Sequence, residues 1–349
     1  MVGINTSLTR LLGIRVPVVA APMAGASSAK LAAQVSLGGG FGFTAPGYES
    51  AETLRDDLTS IRASFPNVGP GKTNPLPIGV GYLGWLLEAS PDTASALLDA
   101  ALDSNVQAVW FAFGNDLGRW IRYVREADAK AATPRKTTIF IQTSSVQEAL
   151  TAVSEWKADV LVAQGVESGG HGSSSAPSVF SLVSAIIANL PHDGPPVLAA
   201  GGLATGSQVA ALLTLGAAGA VLGTRFLLTP ESRYSDAQKA ALIAADSNST
   251  VRTMAFDQAR GTLGWPRGIN GRALRNKTVD DTEAGVHLQD VKDKFLEAIK
   301  NNDPARMVVW AGEGVALMSE VKGAKDIVQE LHMDIMQRLR ASQALLGEN

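Results

Sequence analysis

Short, nearly unbroken apolar runs recur along this chain, each followed by a longer stretch whose apolar residues fall three or four positions apart. The runs are residues 16–21, 40–44, 77–82, 106–113, 137–142, 160–164, 197–200 and 218–222. Apolar runs of this length without alternation fit strands buried on both faces. The stretches between them predict helices over 27–37, 51–65, 90–103, 117–130, 145–156, 179–190 and 205–215. Ser50, with Glu52 close behind it, and the pair Ser90-Pro91 carry the chemistry of helix starts. Eight strands, seven of them followed directly by a helix, predict an α/β fold with a parallel sheet closed into a (β/α)8 TIM barrel. An open doubly wound sheet is the competing arrangement. After Thr224 the rhythm stops. Residues 230–290 are turn-rich and predict a small lobe over the barrel mouth, appended to a barrel that spans 1–229. Helices within 291–349, at 311–322 and 326–346, are expected to complete that barrel.

Composition narrows the class. A chain of 349 residues is long enough for one large α/β domain with a lobe. With 46% hydrophobic residues, 18% charged residues and 35 glycines, it has the profile of a well-packed enzyme. The net charge is −3 without any block of like charges, which gives nucleic acid or a membrane surface no electrostatic reason to bind. There are no cysteines, which excludes disulfides, thiolate metal sites and cysteine nucleophiles. No apolar run reaches the roughly 18 residues of a membrane span. The first fifteen residues lack a charged-then-apolar signal layout, and Val2 rules out myristoylation, so the expected location is cytoplasmic. Oligomeric state is left open.

The chemistry concentrates where strands end. The sixth run stops at Gln164-Gly165, and the loop after it reads Val166-Glu167-Ser168-Gly169-Gly170-His171-Gly172. Gly165, Gly169, Gly170 and Gly172 allow positive φ or a close approach to a ligand. A histidine held there suits proton transfer near neutral pH, so His171 is the candidate catalytic base. A solvated loop with a surface histidine is the plainer alternative. The seventh and eighth runs end in Ala200-Gly201-Gly202 and Leu222-Gly223-Thr224. Loops after strands seven and eight of such barrels often form a phosphate cup from backbone N–H groups and a helix N-terminus. Arg225 either adds charge to the cup or turns away into a salt bridge.

Other signals carry less. Residues 79–84 satisfy G-x-G-x-x-G, but the motif overlaps a strand and the next helix start, Ser90-Pro91, comes too late for a dinucleotide fold. His192, His287 and His332 lack ligand-like neighbours, and neither Asp56-Asp57 nor Asp280-Asp281 has a histidine partner, so no metal site is expected. Trp265, Arg272 and Arg275 lie in the lobe, facing substrate or serving structure.

Taken together, Ala21-Pro22-Met23-Ala24-Gly25, the turn Gly38–Gly42, Gln164–His171, Ala200-Gly201-Gly202 and Leu222-Gly223-Thr224 occur in an order that resembles the nitronate monooxygenase family, formerly 2-nitropropane dioxygenases. The resemblance spans about residues 16–275. It implies an FMN-binding barrel that uses O2 to oxidise nitronates or nitroalkanes to carbonyl compounds and nitrite. By the same resemblance Ala21, Pro22 and Met23 line the flavin ring, and Gln142 and Gln164 contact the ribityl chain or ring edge. Gly165, Gly169 and Gly170 pack beside the flavin, Gly201, Gly202, Gly223 and Thr224 hold its phosphate, and His171 falls on the family's base. The chain departs from the family at two cofactor positions. Gly81 stands where many relatives have asparagine, and Gln142 where some have lysine. A flavin-dependent enoyl-thioester or quinone reductase using NAD(P)H shares the barrel and much of the glycine pattern. A flavin-binding protein without turnover, or a cofactor-free barrel acting on a phosphorylated metabolite, remains the reading from a different class.

Overall fold

The computed structural model describes residues 3–68 and 74–346; Val2 and residues 347–349 lie outside them. Eleven strands occur among the described residues: β1 Val18–Ala20, β2 Phe41–Thr44, β3 Leu76–Leu83, β4 Val106–Ala112, β5 Thr138–Thr143, β6 Val160–Gln164, β7 Gly170–Ser173, β8 Val197–Ala200, β9 Gly219–Leu222, β10 Thr250–Thr253 and β11 Ile269–Leu274. Eight of them close into a parallel barrel in the order β1-β2-β3-β4-β5-β6-β8-β9, with β9 pairing back to β1. All eight apolar runs became barrel strands, because both faces of a barrel strand are buried and demand apolar residues without interruption.

The barrel interior is filled by Val19, Phe41, Phe43, Trp110, Phe140, Val162 and Leu198. Phe43 meets Phe41, Trp110 and Phe140 edge-on at 5.0–5.3 Å between ring centroids. Truncating one such ring costs about 3–5 kcal/mol. Gly79 makes room for this packing, since a Cβ there would lie 2.1 Å from the Phe43 ring. Leu8 and Leu12, from the helix Ser7–Leu12, join the same cluster. The outer helices start as their sequences dictate. Ser28 caps Ala29–Gly38, Ser50 caps Ala51–Arg62 and Ser145 caps Val146–Ser154, each accepting a backbone N–H.

Three strands stand outside the barrel. β7, in the glycine loop after β6, pairs antiparallel with β11, which pairs antiparallel with β10. This small sheet joins the barrel mouth to the lobe. The lobe's own apolar cluster contains Ala255, Phe256, Ala259, Val279, Val291 and Phe295. Helix Leu288–Lys300 therefore packs in the lobe, while Ala324–Gln343 lies against the barrel helices Gly206–Thr214 and Ala29–Gly38.

The helix expected over 311–322 is absent. Only a 3-10 turn, Glu313–Leu317, forms there. The backbone of this segment is pressed onto the glycine turns of the barrel: a Cβ on Gly314 would lie 2.2 Å from the Gly202 carbonyl oxygen, and one on Gly169 would lie 2.4 Å from the Gly312 nitrogen. Glu313 N–H donates to the Glu167 carbonyl at 3.0 Å, and Gly312 N–H to Thr224 Oγ1 at 3.0 Å. Hydrogen bonds to the barrel loops replaced those of a helix. No helix among the described residues is long and apolar enough to cross a membrane.

Candidate active site

A cavity opens at the carboxyl ends of the barrel strands, bounded on one side by barrel turns and on the other by the lobe. Ala21, Pro22, Met23, Gln142, Gln164, Gly169, Gly170, His171, Gly201, Gly202, Gly223 and Thr224 all line it, although they come from six separate parts of the chain. Gly81 and Gly165 do not. Gly81 is pressed against the Pro22 ring, 2.2 Å from where its Cβ would stand, and Gly165 against the Val179 backbone nitrogen at 2.4 Å. Their lack of a side chain serves packing behind the wall. The G-x-G-x-x-G stretch is likewise steric. Gly79 and Gly81 lie within β3, and although a short helix, Gly84–Ala89, does open at once, Gly84 abuts Leu117 and Gly114.

The barrel side of the cavity is made of backbone. Gly201 and Gly202 hold φ of 126° and 66°, in the region that disfavours side chains. Among the described residues, the N–H groups of Gly201, Gly202, Gly223 and Thr224 donate to no protein acceptor. A Cβ on Gly223 would meet only Met23 Sδ at 3.7 Å and Ala21 Cβ at 3.9 Å, and one on Gly170 would meet nothing within 4 Å. These two glycines leave open space on the cavity side. The start of helix Gly206–Thr214 does not contribute as expected. Its amides are already held, Ala204 and Thr205 by Gln208 Oε1 and Ser207 by Asp334 Oδ2.

The lobe side is made of side chains. His171, on β7, places Nε2 3.0 Å from both carboxylate oxygens of Asp257, which is fully buried on helix Ala255–Arg260. The same carboxylate accepts Thr262 Oγ1 at 2.8 Å and Trp265 Nε1 at 3.2 Å. The Trp265 indole lies almost parallel to the imidazole, 3.5 Å away, and Trp310 tilts against it at 5.0 Å. Burial holds the His171 pKa below its usual value; Asp257 pulls it upward, and Arg260 and Arg252 push it down.

Two arginines fix the loop that carries this histidine. Arg252 and Arg272 stand opposite each other on β10 and β11. Such a like-charge pair is unfavourable unless each is satisfied elsewhere. Arg252 donates to the carbonyls of Val166, Ser168, Gly172 and Asn270 and to the Ser168 hydroxyl at 2.9–3.3 Å. Burial and its neighbour Arg272 lower its pKa to about 10. Arg272 also reaches Val166 O, at 3.2 Å, and pairs with Glu313 at 2.8 Å. On the barrel side Gln142 donates to Gln164 at 3.0 Å, and Gln164 donates to the His171 carbonyl at 3.2 Å.

Of the residues left open by sequence, Trp265 lines the cavity and Arg272 anchors the loop behind it. Arg275 is paired on the surface with Asp280 and Glu283. Arg225 is buried away from the cavity and donates to the Glu320 carbonyl at 3.3 Å.

The profile of the family described as nitronate monooxygenase matches residues 5–66 and 92–334. A nitronate monooxygenase of Metarhizium robertsii, npaC, is 34% identical over 90% of this chain and 89% of its own length. The chain belongs to the nitronate monooxygenase family. It is accordingly an oxidoreductase. Among solved structures, a nitroalkane oxidase from Streptomyces ansochromogenes superposes with a TM-score of 0.76 at 27% identity, covering 97% of this chain and 100% of that one. FabK from Thermotoga maritima gives a TM-score of 0.76 at 26% identity, covering 98% of both chains.

Sequence reasoning missed Asp257, Arg252, Trp310 and the closing segment 310–314. Asp257 offered one signal, a lone carboxylate within the apolar stretch Ala255-Phe256. Nothing in that stretch pointed to a histidine 86 positions earlier.

Proposed function

We propose that the protein binds FMN in this cavity and oxidises nitronates and nitroalkanes with O2 to carbonyl compounds and nitrite, with His171 as the base that takes the α-proton of a neutral nitroalkane. The observation that carries this function is that His171, held by the buried Asp257 and stacked on Trp265, lines the same cavity as the glycine turns. The residues fit FMN on the barrel side. Unpaired amides at Gly201, Gly202, Gly223 and Thr224 suit a phosphate monoester, and Gly223 and Gly170 leave space that a side chain would fill. Ala21, Pro22 and Met23 supply an apolar edge for the ring, and Gln142 and Gln164 supply amides beside it. Bound FMN supplies the electron transfer and the oxygen chemistry.

The chain's own work is to place the substrate and move one proton. The α-carbon of a nitroalkane needs a base that is neutral at the working pH, and burial keeps the His171 imidazole in that form. A nitronate has already lost this proton and needs only positioning. Trp265, Trp310 and Phe113 line the cavity with aromatic surface that suits a small apolar-tailed substrate.

The test is direct. The purified protein is expected to be yellow, to release FMN on denaturation, and to consume oxygen with propionate 3-nitronate in the absence of NADH and NADPH. Rapid flavin reduction by a nicotinamide, coupled to reduction of an enoyl thioester, replaces this function with the reductase. Colourless protein that FMN cannot reconstitute returns the barrel to a phosphorylated metabolite.

A further inference from the structure

We propose that Asp257 is the positioning residue of the His171 base: it holds the ring with its proton on Nε2, so that Nδ1 is the atom that removes the substrate proton, and it provides the counter-charge for the imidazolium that results. The proposal rests on the function given above and adds to it the atom that acts and the residue that selects it. A carboxylate has no proton to donate, and Nε2 stands 3.0 Å from both Asp257 oxygens, so Nε2 must carry the hydrogen. The lone pair is then on Nδ1. That atom has no protein hydrogen-bond partner among the described residues, is not sealed from solvent, and belongs to a side chain on the cavity wall.

Asp257 also holds the plane of the ring. Its carboxylate takes the indole N–H of Trp265, whose ring lies 3.5 Å from the imidazole at 10°, so the histidine is gripped at its edge and on its face through one buried anion. Thr262, on the same loop, supplies a third donor. The charged groups facing the imidazole are Asp257 and Arg260 from helix Ala255–Arg260 and Arg252 from β10. Both arginines oppose an imidazolium, and Asp257 favours it. In the step, the C–H bond of the nitroalkane breaks and its electron pair moves into the nitro group, giving the nitronate. The proton forms Nδ1–H and later leaves to solvent. Without the carboxylate nothing selects the tautomer, and the ring gains its charge against two arginines.

Two measurements decide the matter. The first uses wild-type protein and needs no turnover: long-range 1H–15N spectra report which ring nitrogen carries the proton. His171→Gln identifies the His171 signals among the four histidines. Hydrogen on Nε2 is expected, and hydrogen on Nδ1 overturns the proposal. The second is Asp257→Asn, nearly identical in shape, whose amide can present N–H to Nε2 and so permit the opposite tautomer. Nitroalkane turnover is expected to fall about 10²-fold or more. Oxidation of preformed nitronate stays within about threefold, FMN content is kept, and the acid limb of the nitroalkane pH profile moves to lower pH as the favourable charge is lost. Asp257→Glu, which keeps the charge, is expected to recover part of the nitroalkane rate. Nitroalkane turnover that survives Asp257→Asn, or equal losses on both substrates with an unmoved acid limb, overturns the role given to Asp257. A wild-type protein that oxidises neither substrate overturns the proposed function instead, while the spectra still judge the tautomer.

Discussion

The two walls of the cavity are built in opposite ways. On the barrel side the working groups are backbone amides, presented by Gly201, Gly202 and Gly223 on turns that two of these glycines hold at positive φ. On the lobe side they are side chains, His171, Asp257 and Trp265, locked by hydrogen bonds and ring contacts between distant parts of the chain. A backbone cradle suits a constant ligand, because its geometry comes with the strand ends and tolerates few changes. A side-chain wall can be altered one residue at a time. In the proposed function the backbone turns hold the cofactor, and the side chains around His171 carry the reaction and the choice of substrate.

Removing the reactive group of the lobe wall should have the largest effect. His171→Ala is expected to lower turnover of neutral nitroalkanes by about 10²–10⁴ while FMN content and oxidation of preformed nitronates fall much less. Oxygen uptake with both substrates, alongside the flavin spectrum, measures the separation. Flavin lost together with both activities would mean that His171 belongs to the cradle as much as to the lobe, which breaks the comparison.

Arg252→Met comes next, because it removes a donor from three carbonyls of the loop that carries His171, at Val166, Ser168 and Gly172, and from the Asn270 carbonyl on β11. A loss of about 2–4 kcal/mol in stability is expected, read by chemical denaturation. Stability within about 0.5 kcal/mol of wild type would show that the loop holds itself.

The barrel wall gives a paired test of smaller size. Gly201→Ala forces a side chain into φ of 126° and against the Gly165 carbonyl at 3.2 Å, so it should cost about 1–3 kcal/mol in folding. Gly223→Ala meets only ordinary contacts inside the protein and should fold as wild type does. Its methyl group enters the cradle, and FMN binding should weaken about tenfold, or about 1.4 kcal/mol. Titration of apoprotein with FMN separates the two variants, and unchanged affinity in Gly223→Ala would remove that turn from the cradle.

The smallest effect expected is the pH dependence of stability. The His171 pKa lies below its unfolded value because burial opposes the charged ring. The native state thus takes up its proton later than the unfolded chain as pH falls. Stability from this residue is complete above about pH 6.5, the unfolded pKa. It declines as pH drops from there towards the folded pKa. Denaturation at several pH values, with His171→Gln as reference, should show that decline only in wild type.

The barrel was legible because parallel strands buried on both faces require continuous apolar runs, and a run such as Val160-Leu161-Val162-Ala163 states its burial without reference to any other part of the chain. The glycine turns were legible for a similar reason, since a strand that ends in Gly201-Gly202 declares a backbone conformation locally. The second sheet was not. β7 reads Gly-His-Gly-Ser, with no apolar face to betray a strand, and it exists because β11 arrives to pair with it. The segment 311–322 had helix-compatible residues, yet the close approach of Gly312 and Gly314 to Gly169 and Gly202 drew its backbone into loop contacts. Asp257 lay beyond any reading of the sequence. An acidic residue beside Phe256 becomes the partner of His171 only when the tertiary fold brings helix Ala255–Arg260 against β7 and buries the carboxylate. Local patterning determined the strands, the turns and the histidine; three-dimensional closure decided which carboxylate meets that histidine, because a hydrogen bond across 86 residues leaves no periodic trace in the chain.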